Sequence, residues 1–278
     1  MRSSTLRLSR ANLAYPNRWP TPLAPIDIAP CGILRGASVL RKFDFACLNR
    51  LGLQTRAAAE GVDFYCVKQS FFIASTSWPS SEEMQAELFI QRLSKSSVVF
   101  AGSLIDSRTG VMCATVARTF VRVQVDGTIK RGLPFEDEER ENLAPETLPP
   151  GLAMCIDEKL PEFSDTALSA LKAATEKAPI FAQTVLPHHM NMANHLDHGS
   201  LLSFAADAAA TARGVNFQEL AAAPSQPVAG TMEYLDGGGA CGARLDCFAD
   251  SSGRASTLRR TTDSGSAVDV CRATWLWK

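Results

Sequence analysis

The residues best suited to chemistry lie in one short stretch, because all four histidines of the chain fall between His188 and His198. Histidine exchanges protons nearest neutral pH, so such a cluster indicates proton transfer or ligand binding. Asn194, Asp197 and Gly199 suit the turn before a helix, where short polar side chains accept hydrogen bonds from the first N–H groups. We therefore look for a functional site in this stretch.

The residues that follow predict a buried helix and then a small sheet. Leu201–Ala210 is small and apolar nearly all round, which is typical of a helix enclosed by other elements. A strand is predicted before the histidines at Ile180–Leu186. After the helix, turn residues separate four short segments, which predicts an antiparallel meander. These segments are Pro227–Leu235, Ala243–Ala249, Arg254–Thr262 and Ala267–Trp277.

This order of elements resembles the hotdog fold of acyl thioesterases and dehydratases, in which a curved antiparallel sheet wraps one central helix. His189-Met190-Asn191-Met192-Ala193 resembles the His-Val-Asn-Asn-Ala core of that family's substrate loop. Leu201–Ala208 resembles the Tyr-Leu-Arg-x-Phe-Glu-Glu-Ala start of its helix. The resemblance extends from about Ile180 to Lys278, and the loop His195–Ser200 is longer than the family usually has.

The first half of the chain resembles the same loop and helix. Gly32–Ala46 carries the skeleton Gly-x-x-x-x-Ala-x-x-Leu-Arg-x-Phe-Asp-x-Ala, but Ile33 stands where the family has His, and Arg35 and Gly36 where it has two Asn. Ala46 with Gly52-Leu53 recurs as Ala208 with Gly214-Val215 at an offset of 162, and Arg118–Val121 resembles Ala273–Leu276 at an offset of 155. Between the matches lie four predicted strands, Val62–Ala74, Gln85–Leu93, Val98–Asp106 and Val111–Val125. The halves are therefore interpreted as an internal duplication.

The predicted fold class is α+β: a tandem (double) hotdog, with two antiparallel sheets that each wrap a central helix and join edge to edge. A single hotdog sheet leaves an exposed edge strand, and a tandem copy supplies its partner within one chain. The central helices are predicted at Ser38–Leu51 and Ser200–Arg213. The predicted organisation is a basic extended arm (1–30), a first repeat (31–125), a linker (126–179) and a second repeat (180–278).

Composition fits a soluble globular protein, with 46% hydrophobic and 21% charged residues. No apolar run reaches the roughly 18 to 20 residues that span a bilayer, so no transmembrane helix is predicted. Eight cysteines are scattered without a Cys-x-x-Cys pair, which favours reduced thiols and a reducing compartment.

The N-terminus is strongly basic. Residues 1–56 hold nine Lys and Arg against two acidic residues, and the first 25 hold four arginines and no acid. This composition is typical of a mitochondrial or plastid targeting segment, and equally of a flexible basic arm. The predicted location is the mitochondrial matrix or plastid, with the cytoplasm as the alternative.

In the linker, the acidic run Glu136–Glu139 is expected on a solvated face or against the arm, beside a proline-rich hinge at Pro145–Pro150 and a helix at Asp165–Lys177.

The resemblance implies a thioesterase mechanism, in which N–H groups at the start of the central helix hold the thioester oxygen. A carboxylate, or a His with an Asn, then orients or deprotonates the water. His189 and Asn191 match the Asp-x-Asn-x-His-x-Asn-Asn motif of acyl carrier protein thioesterases, whereas Val185 and Pro187 replace its Asp and first Asn. Asp197, His198 and Asp207 are the available substitutes for these two missing residues. The predicted catalytic set is therefore His189, Asn191, Asp197, His198 and Asp207. The predicted substrate-binding set is Asn194, His195 and Gly199.

Metal binding is a weaker interpretation of the same stretch. His188 or His189, His195, Asp197 and His198 could all bind zinc, but their spacing fits no zinc signature, and the resemblance implies no metal. No metal or cofactor is therefore expected.

Two functions remain open from the sequence. One is hydrolysis of an acyl thioester, on coenzyme A (CoA) or an acyl carrier protein, at one surviving site. The other is a catalytically inactive hotdog protein, built through its arm into a large organellar assembly such as a mitochondrial ribosome or respiratory complex. No RNA-binding motif accompanies the basic arm, so nucleic acid is not expected as a partner unless the arm itself binds it.

Overall fold

The computed structural model describes residues 17–24, 35–52, 62–74, 83–125, 129–190, 196–214, 227–236 and 241–277. Several predictions fall outside these residues: most of the basic arm, Ile33 of the first loop, and Asn191, Asn194 and His195 of the second.

Both predicted central helices are confirmed. The first, α1, spans Gly36–Arg50, and the second, α5, spans His198–Ala212. Each has 15 residues, and they begin at positions 36 and 198, which is the predicted offset of 162. Each begins two residues before its predicted start. The intervening helices are α2 (Asp137–Asn142), α3 (Pro150–Lys159) and α4 (Asp165–Thr175).

The strands that the structure describes form one continuous antiparallel sheet. Its order is β1-β3-β4-β5-β2-β8-β11-β10-β9-β7, with β6 paired to β5. All strands predicted in the two repeats are found, with ends that shift by at most two residues. Their bounds are β1 Arg18–Pro22, β2 Val62–Ile73, β3 Glu83–Leu93, β4 Ser97–Asp106, β5 Met112–Val125, β6 Ile129–Arg131, β7 Phe181–Thr184, β8 Ala229–Tyr234, β9 Arg244–Ala249, β10 Ala255–Thr261 and β11 Ala267–Leu276.

The two repeats join where β2 pairs with β8, in a register that runs from Lys68 opposite Glu233 to Phe72 opposite Ala229. At the middle of this joint the hydroxyl of Thr231 donates to that of Ser70 at 2.8 Å, across a sequence separation of 161. Because this separation nearly equals the offset of the helices, the pseudo-twofold axis passes close to this pair. The edge-to-edge joint was predicted from the duplication, and the structure confirms it.

The register corrects one detail of the predicted duplication. Ser70 lies opposite Ala117 on β5, and Thr231 lies opposite Thr274 on β11. Positions 117 and 274 correspond at an offset of 157, whereas the sequence match of Arg118–Val121 gave 155. A shift of two residues returns each side chain to the same face of a strand, so the apolar pattern cannot reveal it.

The arm and the linker both pack on the first repeat. Arg18–Pro22 pairs with β3, so part of the predicted arm is an edge strand of the first sheet. The acidic run contacts Arg122, whose guanidinium lies 3.0 Å from Glu136 and 3.3 Å from Glu139. Within the predicted hinge, Glu146 pairs with Arg50 at 2.7 Å and accepts the N–H of Ile90 at 2.6 Å. The linker is therefore anchored, and its helices α2 and α3 were not predicted.

The two central helices supply much of the core. Phe43 and Cys47 of α1 are fully buried, as are Ala205, Ala208 and Ala209 of α5. The alanines let the second sheet approach its helix closely, as the sequence predicted for this run. In the described part of the chain, no helix is both long enough and apolar enough to cross a membrane.

We predict that Gly230→Ala destabilises the joint. A Cβ at Gly230 would lie 2.6 Å from the Trp275 ring and 2.9 Å from the Phe71 ring, so the core would be overpacked by one methyl group. The expected loss is about 1–3 kcal/mol in the free energy of unfolding, measured by urea denaturation.

Gly151→Ala is the matched control. This position in α3 has open space around its Cβ, so the same substitution should be neutral or stabilise by up to about 1 kcal/mol. Equal unfolding midpoints for the two variants would contradict the described packing of Trp275.

Candidate functional site

The central helices lie side by side across the joint and run in opposite directions. The start of α1, at Gly36 and Ala37, shares a recess with Leu202–Asp207 of α5. At the other end, a Cβ added to Gly199 at the start of α5 would lie 2.5 Å from Nε of Arg41 in α1. Each helix N-terminus therefore faces the middle of the other helix. This produces two pseudosymmetric positions at which a helix dipole could hold an anionic oxygen.

The position at the start of α5 is closed. Asp197 caps the helix, because its Oδ2 accepts the N–H of Ser200 at 3.0 Å, and the same oxygen accepts from Nη2 of Arg41 at 3.0 Å. The His198 ring stacks on Tyr234 at 4.3 Å between centroids. Asp197 and His198 were predicted as catalytic residues, and the structure places them in a cap, an ion pair and a ring stack. The buried Gly199, predicted to bind substrate, lies beneath the Arg41 guanidinium.

No described residue covers the position at the start of α1. Its N-cap residue, Arg35, makes no side-chain capping bond. By the offset of 162, the residue of α5 that corresponds to Arg41 is Ser203, whose short hydroxyl donates to the carbonyl of Gly199 at 2.9 Å. A recess of about 90 Å³ remains. Its described lining is Arg35, Gly36, Ala37, Phe71, Leu202, Ser203, Ala206, Asp207, Pro227 and Trp275.

Asp207 is the acidic residue of this recess. Desolvation by the surrounding protein raises the pKa of its carboxyl group, and the positive charge of Arg35 opposes that rise. Asp207 is an exposed residue, so the desolvation of its carboxyl group is partial. Its carboxylate has no hydrogen-bond partner among the described residues. A carboxylate of raised pKa in a concave site is a common property of catalytic acids and bases.

The acid nearest to this position in α1 is Asp44, but the offset of 162 aligns Asp44 with Ala206 and aligns Asp207 with Phe45. Asp44 forms an ion pair with Arg118 of β5, whose side chain is only 2% exposed. Arg118 also lies beside the thiols of Cys47 and Cys66, and burial raises the pKa of Cys47 to about 12. Asp44, whose side chain is 40% exposed, is therefore held in an ion pair with the buried Arg118, whereas Asp207 lines a recess.

The hydrogen bonding of His189 selects the neutral tautomer with its proton on Nε2. Its Nδ1 accepts the N–H of Leu186 at 3.0 Å, which leaves the proton on Nε2. Desolvation by burial, followed by the nearby charge of His188, lowers the pKa of His189. The ring packs edge-on against Phe204 of α5 at 4.9 Å. In this tautomer His189 can orient a water molecule through Nε2–H, but it cannot take the water's proton, as the activating role predicted for it would require.

Backbone hydrogen bonds hold the two ends of the loop after His189 together. Met190 bridges to Leu196, and the N–H of Asp197 donates to the carbonyl of His189 at 2.8 Å. Asn191, Asn194 and His195 belong to the undescribed residues between these ends, so their predicted roles stay predictions. Among the described residues, no three His, Cys, Asp or Glu side chains converge as metal ligands would.

The predicted site residues therefore fall into two groups. His198 and Asp207 lie nine residues apart on one helix, which separates them by about 14 Å along its axis. The sequence reasoning missed Gly36, Ala37 and Ser203. Arg35 and Gly36 had been assigned to a loop without chemistry, because their side chains differ from the family's, but the backbone N–H groups of a helix start do not depend on side chains. The duplication implies that the two hotdog helices pack side by side in opposite directions, and this was the signal that could have located Gly36, Ala37 and Ser203.

Comparison with known proteins supports the fold. No protein-family model and no curated protein sequence matches the chain. An acyl-ACP thioesterase from Bacteroides thetaiotaomicron is similar in structure, with a TM-score of 0.67 at 12% identity over 94% of this chain and 97% of that one. The 12:0-ACP thioesterase from Umbellularia californica has a TM-score of 0.62 at 14% identity, over 94% and 96%. The chain thus has the double hotdog fold that the resemblance predicted.

We predict that Asp207→Asn leaves the protein at least as stable as the wild type at pH 7.5. A pKa raised in the folded state means that the folded protein favours the protonated carboxyl and disfavours the ionised one. The stability that the protonated carboxyl contributes is therefore lost as pH rises through the folded-state pKa. The variant's advantage should shrink as pH falls toward about 4, where the unfolded carboxyl is protonated. Urea unfolding across this range measures the difference.

Asp44→Asn is the contrasting variant. It weakens the partner of the buried Arg118, so a loss of about 1–3 kcal/mol is expected at pH 7.5. A comparable loss in Asp207→Asn would show that Asp207 forms a structural bond, contrary to the site described above.

Proposed function

We propose that the chain hydrolyses an acyl thioester in the recess between the start of α1 and the middle of α5. The observation that carries this proposal is that the N-terminus of α1, where Arg35 makes no side-chain capping bond, shares a recess with Asp207, a carboxylate of raised pKa that bonds no described residue. The similar fold of acyl-ACP thioesterases supports the reaction class. The thioester would be carried by CoA or by an acyl carrier protein.

In this mechanism the thioester oxygen binds the first-turn N–H groups of α1, at Gly36 and Ala37. The dipole of α1 and the charge of Arg35 stabilise the negative charge that develops on this oxygen. Asp207 takes a proton from water while the water oxygen attacks the carbonyl carbon. The tetrahedral intermediate then collapses, the carbon–sulfur bond breaks, and the thiolate leaves and takes up a proton. The products are a carboxylic acid and a free thiol.

The apolar lining gives the acyl group a surface. Phe71, Leu202 and Trp275 border the recess opposite its polar groups. A Cβ at Gly36 would lie 2.3 Å from the Phe71 ring, so only glycine lets this ring pack against the first turn. His189 packs against Phe204, which lies one helical turn before Asp207 on α5. In the proposal, His189 orients water or the neighbouring loop.

A second candidate is the non-catalytic role as a structural subunit of an organellar assembly. The closed position at the start of α5 favours it, because Arg41 and Asp197 occupy the N-terminus that follows the histidine-rich loop. This role requires no turnover, and the open recess would then be incidental.

We predict that Ser203→Arg abolishes hydrolysis while the fold is kept. An arginine there would fill the recess as Arg41 fills the corresponding position, and Arg41 shows that the helix pair accommodates this side chain. The expected loss in kcat/KM is about 100-fold or more, as for removal of an oxyanion-binding site. Purified protein is assayed with acyl-CoA and acyl carrier protein thioesters of several lengths.

Ser203→Ala and Asp207→Asn complete the test. Ser203→Ala removes only a bond within α5 and should stay active, whereas Asp207→Asn should lower kcat by about 100-fold or more. Absence of hydrolysis by the wild type with every substrate would refute the proposal and leave the structural role. Activity that survives Ser203→Arg but not His189→Ala would move the site to the start of α5.

A further inference from the structure

A second and larger recess lies beyond the C-terminal end of α5. It measures about 450 Å³, and its described lining is Arg213, Arg254, Trp275, Leu276 and Trp277. Trp275 also lines the first recess, so the two recesses are neighbours. They share one wall of the second repeat.

The two arginines of this recess differ from the other described arginines of the second repeat. Each of the others pairs with a carboxylate: Arg244 with Asp246, Arg259 with Asp269, Arg260 with Asp236 and Arg272 with Glu233. Arg213 and Arg254 pair with no acid in the described part of the chain. The guanidinium of Arg213 instead lies 4.8 Å from the Trp277 ring centroid and donates to the carbonyl of Ser252 at 3.4 Å. The recess is therefore cationic and aromatic.

This combination suits a nucleoside phosphate. Guanidinium groups bind phosphate oxygens with charge-assisted hydrogen bonds. Indole and guanidinium planes stack on nucleobases, since every base presents a π face. Trp277 is fixed for such contact, because its Nε1 donates to the carbonyl of Gly253 at 2.6 Å. A fixed ring loses little conformational entropy on binding.

We propose that this recess binds the 3′-phosphorylated ADP portion of CoA, and that CoA is the carrier of the thioester; the inference rests on the function proposed above. Arg213 and Arg254 would bind the phosphates, and the partly exposed Trp277 ring and the Arg213 plane would contact adenine. Asp207 and Arg213 are six residues apart on α5, about 9 Å along its axis. The pantetheine arm, which separates the sulfur of CoA from its diphosphate, can span this distance.

A carrier protein presents the same phosphopantetheine arm but no adenine. Its recognition would need only the basic charges, and an aromatic wall would then be unused. Trp277 therefore favours CoA, and the experiment below separates the two carriers.

The first measurement is binding to the full-length protein, by calorimetry and by tryptophan fluorescence. The probes are CoA and adenosine 3′,5′-bisphosphate. Arg254→Ala and Arg213→Gln should each weaken binding about tenfold, as expected for one charge-assisted contact. Glutamine keeps the methylene stem that packs on Gly253. Arg108→Ala, an exposed arginine on the first repeat's hairpin turn, is the control and should bind normally.

The second measurement compares acyl-CoA, acyl-pantetheine and acyl carrier protein as substrates. The two recess variants should raise KM for acyl-CoA about tenfold with kcat unchanged, and should leave acyl-pantetheine hydrolysis unaltered. Binding of neither probe, binding unaffected by both substitutions, or a KM effect confined to acyl carrier protein would each overturn the inference. Hydrolysis of acyl-pantetheine by the wild type would keep the proposed function in those cases. Specific probe binding without any hydrolysis would support the nucleotide site while the hydrolase proposal fails.

Discussion

The pairing of β2 with β8 is the contact that determines where any site can form. Each repeat alone would expose a strand edge and leave one side of its helix uncovered, and the Lys68–Phe72 register closes both deficits at once. Because the joint is nearly twofold about Ser70 and Thr231, α1 and α5 are set antiparallel. The start of each helix is thereby directed at the middle of its neighbour. Two equivalent positions for an oxyanion follow from this geometry alone.

Single side chains then make the two positions different. Arg41 lies over the start of α5, whereas Ser203 leaves the start of α1 accessible. The acidic residues of the two helices also differ, although they do not stand at equivalent positions: Asp44 neutralises the buried Arg118, whereas Asp207 forms no ion pair with a described residue. Burying Arg118 would be costly without a paired carboxylate, so Asp44 is constrained by stability. Asp207 is free of that constraint. A duplicated scaffold can thus keep one half for structural charge pairs and leave the other available for chemistry.

The sequence predicted the repeated elements well because period and turn residues report local structure. The apolar run of α5 and the glycine turns at Gly253 and Gly265, both with positive φ, are local signals of this kind. The site was predicted less well, because the conspicuous chemical signal in the sequence, the histidine cluster, lies beside the other helix N-terminus. Asp197 was found at a helix start as expected, but its carboxylate caps that helix and binds Arg41, a residue 156 positions away. Such pairings depend on how the repeats dock, which spacing along the chain does not encode. Asp207 was identified, but the start of α1, which lines the same recess, was not.

The most direct test of the single-site account is a crystal structure with a nonhydrolysable acyl-CoA analogue, in which a methylene group replaces the thioester sulfur. The account predicts that the analogue's carbonyl oxygen lies within hydrogen-bonding distance, about 3 Å, of the N–H groups of Gly36 and Ala37. The carbonyl carbon should face Asp207. An analogue bound instead beside Gly199 and His189, with Arg41 displaced from Asp197, would contradict it.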